Sequence, residues 1–244
     1  MFENCYDLAS LSISGLTTNN VVIMSSMFAN CTSLTSLNLE NFKTPQVRTM
    51  SHFFDNCYNL KYLNILALDT NQVIDMSYMF YNCTSLTSLD VSKLVTSVTS
   101  TMTKMFENCK SLTSLELKNF ETESVRSMSY MFSGCESLEK LDLSYFQTRS
   151  VTDMSYMFNK CSKLKEINLN SFNTEAVTNM KFMFAYCTSM DYLNLFSFNT
   201  GRCKNFESMF EEHHVNLTIS VDTDKCKNMI ENIPNEINIA ENYF

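Results

Sequence analysis

The chain repeats itself every 26 residues, and that property limits its fold more than any local signal. A Met-Phe or Phe-Phe pair begins at positions 1, 27, 53, 79, 105, 131, 157, 183 and 209, with no insertion or deletion between them. Eight of the ten cysteines keep the same step: Cys5, Cys31, Cys57, Cys83, Cys109, Cys135, Cys161 and Cys187. One unit, Met131 to Tyr156, reads MFSGCESLEKLDLSYFQTRSVTDMSY. A unit this short cannot bury its own apolar face, so successive units have to stack and share one core. The expected product is a solenoid. The pattern divides the chain into a repeat array over 1–210, of about eight coils, and a degenerate last coil with a C-terminal cap over 211–244.

Within each unit the apolar period changes. Leu138, Leu141 and Leu143 have the LxxLxL spacing, and the step from Leu141 to Leu143 is the alternation of a strand. The matching pairs are Leu37/Leu39, Leu63/Ile65, Leu89/Val91, Leu115/Leu117, Ile167/Leu169 and Leu193/Leu195. Stacked in register they predict one parallel sheet with coils about 4.8 Å apart, so that nine coils would extend about 40 Å. The other half of the unit reads as one short helical turn, with Ser77, Ser129 and Ser155 placed to cap it. A longer helix from Val125 or Val151 competes, since Val151, Met154 and Met157 are three apart. The β-branched stretches Val21-Val22-Ile23 and Val98-Thr99 favour the short one. Asn4, Asn30, Asn56, Asn82 and Asn108 share a slot with Gly134, which predicts a positive φ there; Lys160 and Tyr186 in later units run against it. The expectation is therefore an α/β repeat solenoid, a leucine-rich-repeat superhelix with one short parallel strand and one short helical turn per coil.

The LxxLxL segment has the leucine-rich-repeat spacing, with Phe42, Phe120, Phe146, Phe172 and Phe198 standing near the place of the usual Asn or Cys. The whole unit, with MFxNCxSLxxLxL, FxT and VTxMSYMF, resembles the BspA-like leucine-rich-repeat surface proteins over about residues 1–210. The resemblance implies a cell-surface or secreted protein that acts as an adhesin toward a host matrix or cell-surface protein or glycan. Members usually carry an export signal and an anchor. No signal peptide is visible at Met1-Phe2-Glu3-Asn4-Cys5, and no apolar run approaches the ~18 residues of a membrane span.

Charge narrows the partners. The 18 Lys and Arg stand against 26 Asp and Glu, a net charge of −8, so nucleic acid and anionic membranes are poor partners. A hydrophobic fraction of 45% supplies an ample core. Catalytic motifs are missing: three Gly leave no phosphate or dinucleotide loop, and three His have no nucleophile at a telling spacing. The expectation is no enzyme, no cofactor and no metal. The cysteine ladder reads as buried packing, although adjacent rungs fall within disulfide range. The Met and Phe columns read as core, because a solenoid buries whatever it repeats. His213 and His214, near Glu211, Glu212, Cys203 and Cys226, match no structural zinc spacing and read as a solvated cap. Tyr78, Tyr130, Tyr156 and Phe182, interrupted by Lys104, read as stacking between coils. The sequons at Asn30, Asn82 and Asn216 mean little, since two are by-products of the repeat.

A solenoid recognises partners through its variable positions. On the sheet face these flank the strand leucines and are mostly small and polar. Tyr62 with Leu66, and Tyr192 with Phe196, break that rule; Asp90, Glu116 and Asp142 form an acidic column at one outward slot. These seven are the candidate partner-binding residues. The expected function is a non-enzymatic, adhesin-like binding module; the alternative is an architectural spacer or truncated array with no partner of its own. Met1 already lies inside a repeat, so the uncapped first coil leaves self-association open.

Overall fold

The fold is taken from a computed structural model that describes residues 1–13 and 15–241. Its elements are β1 (Ser36–Asn38), β2 (Tyr62–Asn64), β3 (Lys140–Asp142), β4 (Glu166–Asn168), β5 (Tyr192–Asn194), β6 (Thr218–Val221), α1 (Lys227–Ile230) and β7 (Asn238–Glu241). All paired strands are parallel and in the expected register, with Leu37 beside Leu63, Leu141 beside Ile167 and Leu193 beside Ile219. The chain is a leucine-rich-repeat-type solenoid of 26-residue coils. Past residue 210 the ladder continues through β6 and β7, with a shorter step from Thr218 to its partner Asn238.

A second parallel ladder lies outside the strands and is more continuous than the sheet. Single bridges join Ile23 to Thr49, Thr49 to Asp75, and so on from coil to coil as far as Asn205. Beside it, Arg48 N–H donates to the Val22 carbonyl, Ile74 to Arg48, Ser100 to Ile74 and Arg126 to Ser100 at 2.8–2.9 Å.

The expected helical turn is a train of tight turns instead, and the one α-helix among the described residues is α1. In the segment 24–31, the N–H groups of Met27, Ala29 and Cys31 donate to carbonyls three residues back. The alternate N–H groups, of Met24, Ser26, Phe28 and Asn30, donate to Thr49, Ser51, Phe53 and Asp55 on the next coil, at 2.7–3.1 Å. Such a division needs the backbone to reverse hand. Each coil duly holds two residues at positive φ, four apart: Ser26 and Asn30, Tyr78 and Asn82, Tyr130 and Gly134, Tyr156 and Lys160. A positive φ at the third residue of a turn is the type II arrangement. The Asn/Gly slot is left-handed as the sequence predicts, and stays so at Lys160 and Tyr186, with φ of 61° at both. The serines do not cap. Asp75 and Asp153 instead accept the Ser77 and Ser155 amides at 2.8 and 2.9 Å, from the slot that also carries the bridge ladder.

Inside, every repeated apolar slot is core. Phe28, Phe54, Phe80, Phe106, Phe132, Phe158 and Phe184 form one offset stack, with centroids 5.4–5.8 Å apart and planes within 16°. The cysteines are free and, except for half-buried Cys5, buried. From Cys31 onward each thiol on the ladder donates to a carbonyl of the preceding coil, as Cys57 to Phe28 and Cys109 to Phe80, both at 3.2 Å. A buried threonine column provides a polar counterpart. Thr44 Oγ1 donates to the Asp69 carbonyl and accepts the Asp69 amide, and Thr70, Thr122, Thr148 and Thr174 repeat the exchange.

On the flank, the amides of Asn30, Asn56, Asn82 and Asn108 each donate to the asparagine one coil back, at 2.7–2.9 Å. The ladder stops at Gly134, where a Cβ would lie 2.2 Å from Asn108 Oδ1. Beside it stack His52 on Tyr78 (4.3 Å), Tyr130 on Tyr156 (4.3 Å) and Tyr156 on Phe182 (4.8 Å). Lys104 bridges the gap with its ammonium 5.3 Å from Tyr78 and 4.6 Å from Tyr130.

Asn82→Ala breaks two ladder bonds and leaves alanine at positive φ, so it should cost about 2–3 kcal/mol in urea unfolding. Gly134→Asn moves the Asn108 side chain but adds a rung, and should be less destabilising than Gly134→Ala; the reverse order would refute the ladder's contribution. Burial drives the Cys109 and Cys187 thiols up to about 12, against an ordinary 9.0. Their raised value means the folded state holds protons that the unfolded chain has lost above pH 9. Stability should therefore be untouched below pH 9 and fall from there to about pH 12, by about 1.4 kcal/mol per pH unit for each such thiol. Cys109→Ala should flatten that slope in urea titrations at pH 8, 9.5 and 10.5.

Candidate functional site

Strand alternation builds the candidate surface. Leu37, Leu63, Leu141 and Leu193 point inward and are buried, so the residues on either side of each face outward, exposed or, at Asn64 and Asn194, half-buried. The predicted apolar group is exposed: Tyr62 58%, Leu66 45%, Tyr192 51% and Phe196 39%. Asp90, Glu116 and Asp142 are exposed as well.

The acidic column also belongs to the backbone. Asp90 Oδ1 accepts the Ser92 amide at 2.9 Å and Asp142 Oδ1 that of Ser144 at 3.0 Å. Asn38, Asn64, Asn168 and Asn194 do the same in their coils. The slot is thus an Asx turn that ends each strand, which is why it alternates between Asn and Asp. The Ser92 hydroxyl and amide hold the Asp90 carboxyl below the usual carboxylate range. Glu116 is the longer exception; it forms no such bond and no ion pair among the described residues.

The seven candidates fall in three places. Tyr62, Leu66 and Asp90 flank one shallow groove of about 220 Å³. Glu116 and Asp142 line a larger one of about 500 Å³. Tyr192 and Phe196 lie at the C-terminal end, with the Lys225 ammonium 5.9 Å from the Phe196 ring.

The larger groove lies at one interruption of the sheet; pairing is also absent between β4 and β5. Strand pairing joins β1 to β2 and β3 to β4, but the coils between them, around 88–90 and 114–116, form no strands. Among the described residues no backbone hydrogen bond connects 114–117 to 140–143. Tyr145, 56% exposed, stands at the junction of this groove with a second of about 540 Å³, and Lys118 lines both. Beyond it Lys140 pairs with Glu166 at 2.7 Å and Lys165 with Glu139 at 3.1 Å, closing the next coil. Sequence reasoning missed Tyr145. The available signal was its column, Asn41, Ala67, Lys93, Asn119, Tyr145, Ser171 and Ser197, in which it is the only aromatic.

Titratable side chains elsewhere pair mostly within their own coil. His52 Nδ1 lies 2.6 Å from Asp55 Oδ2, and Lys104 lies 3.2 Å from Glu107; burial raises the pKa of both carboxyls. His214 faces Asp191 at 3.0 Å, and His213 Nδ1 the Phe210 carbonyl at 2.9 Å. No three His, Cys, Asp or Glu among the described residues converge as metal ligands. No helix among them is long and apolar enough to cross a membrane.

The chain is similar in structure to a leucine rich cell surface protein from Faecalibacterium prausnitzii, at 15% identity and a TM-score of 0.41, over 100% of this chain and 75% of that one. It is also similar to an internalin from Listeria monocytogenes, at 17% identity and a TM-score of 0.35, over 87% of this chain and 58% of that one. A leucine-rich-repeat protein from Leptospira interrogans is similar at 14% identity and a TM-score of 0.22, over 86% and 73% of the two chains. No curated protein matches the sequence. The family model described as "Mycoplasma protein of unknown function, DUF285" matches residues 1–116 and 100–221, most of the chain, and the protein belongs to that family.

Proposed function

We propose that the chain is a non-enzymatic, adhesin-like binding module, at the cell surface or secreted, that holds a protein or glycan partner on the sheet face. One observation carries this reading: Tyr62, Leu66, Tyr145, Tyr192 and Phe196 stand in water on one face, whereas the strand leucines and the stacked Phe column of the repeat are buried. A side chain that the coil does not need for packing is free to vary for a partner. The resemblance to BspA-like surface proteins supports the surface location.

The test is binding of the purified chain to a panel of matrix glycoproteins and glycans. The triple variant Tyr62→Ala, Tyr192→Ala, Phe196→Ala should lose about 30-fold in affinity or more, the effect of one strong anchor, without change in its unfolding curve. Arg48→Ala and Arg126→Ala, on the bridge-ladder face, should bind as the parent does. Binding that ignored the triple variant and fell with the arginines would place the partner on the other face. A folded chain with no binding at all would favour the spacer.

A further inference from the structure

The interrupted sheet points to the ligand class. Resting on the sheet-face reading, we infer that the trench around Tyr145 takes a neutral carbohydrate, a short chain of pyranose rings stacked on Tyr145 and hydrogen-bonded by Glu116 and Asp142.

Three features carry this assignment. The first is shape: the hollows of about 500 and 540 Å³ meet at Lys118 and Tyr145 and run over the coils at 92–95, 118–121 and 145–147. Three coils extend about 10 Å, and each hollow has the size of a small-ligand site rather than of a flat interface. The second is lining. The leucines that line the first hollow, Leu115 and Leu117, are buried, so Tyr145 is the exposed ring there among polar groups. A lipid or apolar ligand would leave those polar groups without partners. A sugar suits them, having an apolar C–H face for the ring and hydroxyls around its rim. Glu116 is unpaired, and Asp142 keeps Oδ2 open while Oδ1 accepts the Ser144 amide; ionised carboxylates accept strongly from hydroxyls. The third is charge. Around the first hollow Glu116, Glu139 and Asp142 outnumber Lys118 and Lys140, and around the second Lys93 and Glu121 offset each other, in a chain of net charge −8, so an anionic glycan is disfavoured and a neutral one is not.

The parallel ladder is open here as well. Residues 114–117 present backbone groups that no neighbouring strand uses, and these add donors and acceptors at the floor.

The experiment titrates maltotetraose, cellotetraose, chitotetraose and N-acetyllactosamine into the intact chain by calorimetry and saturation-transfer NMR, with a heparin tetrasaccharide as the anionic comparator. A neutral probe should saturate. Tyr145→Ala should weaken it by about tenfold or more, whereas Tyr145→Phe, which keeps the ring, should stay within about threefold. Glu116→Gln and Asp142→Asn, which preserve shape and the Asx turn, should each weaken it, and Arg48→Ala, on the bridge-ladder face, should not. Binding that survives Tyr145→Ala, or that favours heparin, overturns the assignment. If every sugar fails while a matrix protein is still held by the sheet face, the carbohydrate inference falls and the binding-module reading stands. If neither binds, both fall.

Discussion

The structure depends on how the backbone shares its amides in the turn segment. Every second N–H there closes a local turn and the others reach the next coil, as at Met24, Ser26, Phe28 and Asn30. The arrangement requires two left-handed residues per coil, and outside glycine each costs about 1–2 kcal/mol. Tyr78, Tyr130 and Tyr156 bear that cost although a bulky side chain rarely adopts such a conformation. Their rings recover part of it by stacking, and their amides donate to the next coil at 2.8–2.9 Å. Once the hand of each residue is set by its slot, one inserted residue would move every later slot out of phase with the coil below. The unbroken 26-residue period follows from that register.

Much of this was legible in the sequence because a repeat averages out local ambiguity. The Leu, Met, Phe and Cys columns announced the core, and Asn trading with Gly announced a positive φ. The helical turn was not legible. Apolar spacing reports which side chains are buried, and says nothing of whether an amide bonds within its own turn or to the neighbouring coil. Met24, Met27 and Phe28 are buried under either arrangement. The threonine column was visible only as FxT; that its hydroxyls both donate and accept between coils depends on a neighbour 25 residues away. On the sheet face, exposure of Tyr62 and Tyr192 followed from alternation. The trench at Tyr145 did not, since it arises where pairing fails between otherwise ordinary strand segments.

Tight packing on one side and freedom on the other are connected. The turn side is bonded at every coil by backbone amides, reinforced by asparagine amides as far as Asn108 and by stacked rings at His52–Tyr78 and Tyr130–Phe182. The bridge ladder is equally continuous. With two sides fixed, the strand side can lose pairing around 88–90 and 114–116 without loss of register. A sheet that alone set the spacing could not open there. The proposed recognition surface is thus the side on which the solenoid has least need of its own hydrogen bonds, and its side chains can vary without unstacking the core.

The cysteine ladder shows the same economy at the scale of one atom. The Phe28 carbonyl accepts the Cys31 amide within its own turn and the Cys57 thiol from the next coil, so both lone pairs of a buried oxygen are used. Alanine in this slot would leave one of them empty. Serine would supply a donor but with a smaller side chain and a larger desolvation cost. A disulfide between adjacent rungs would remove the donors of two carbonyls at once and pull together coils whose spacing the backbone already sets. The neutral thiol satisfies volume, hydrogen bonding and uniform spacing together, and burial keeps it neutral by raising its pKa.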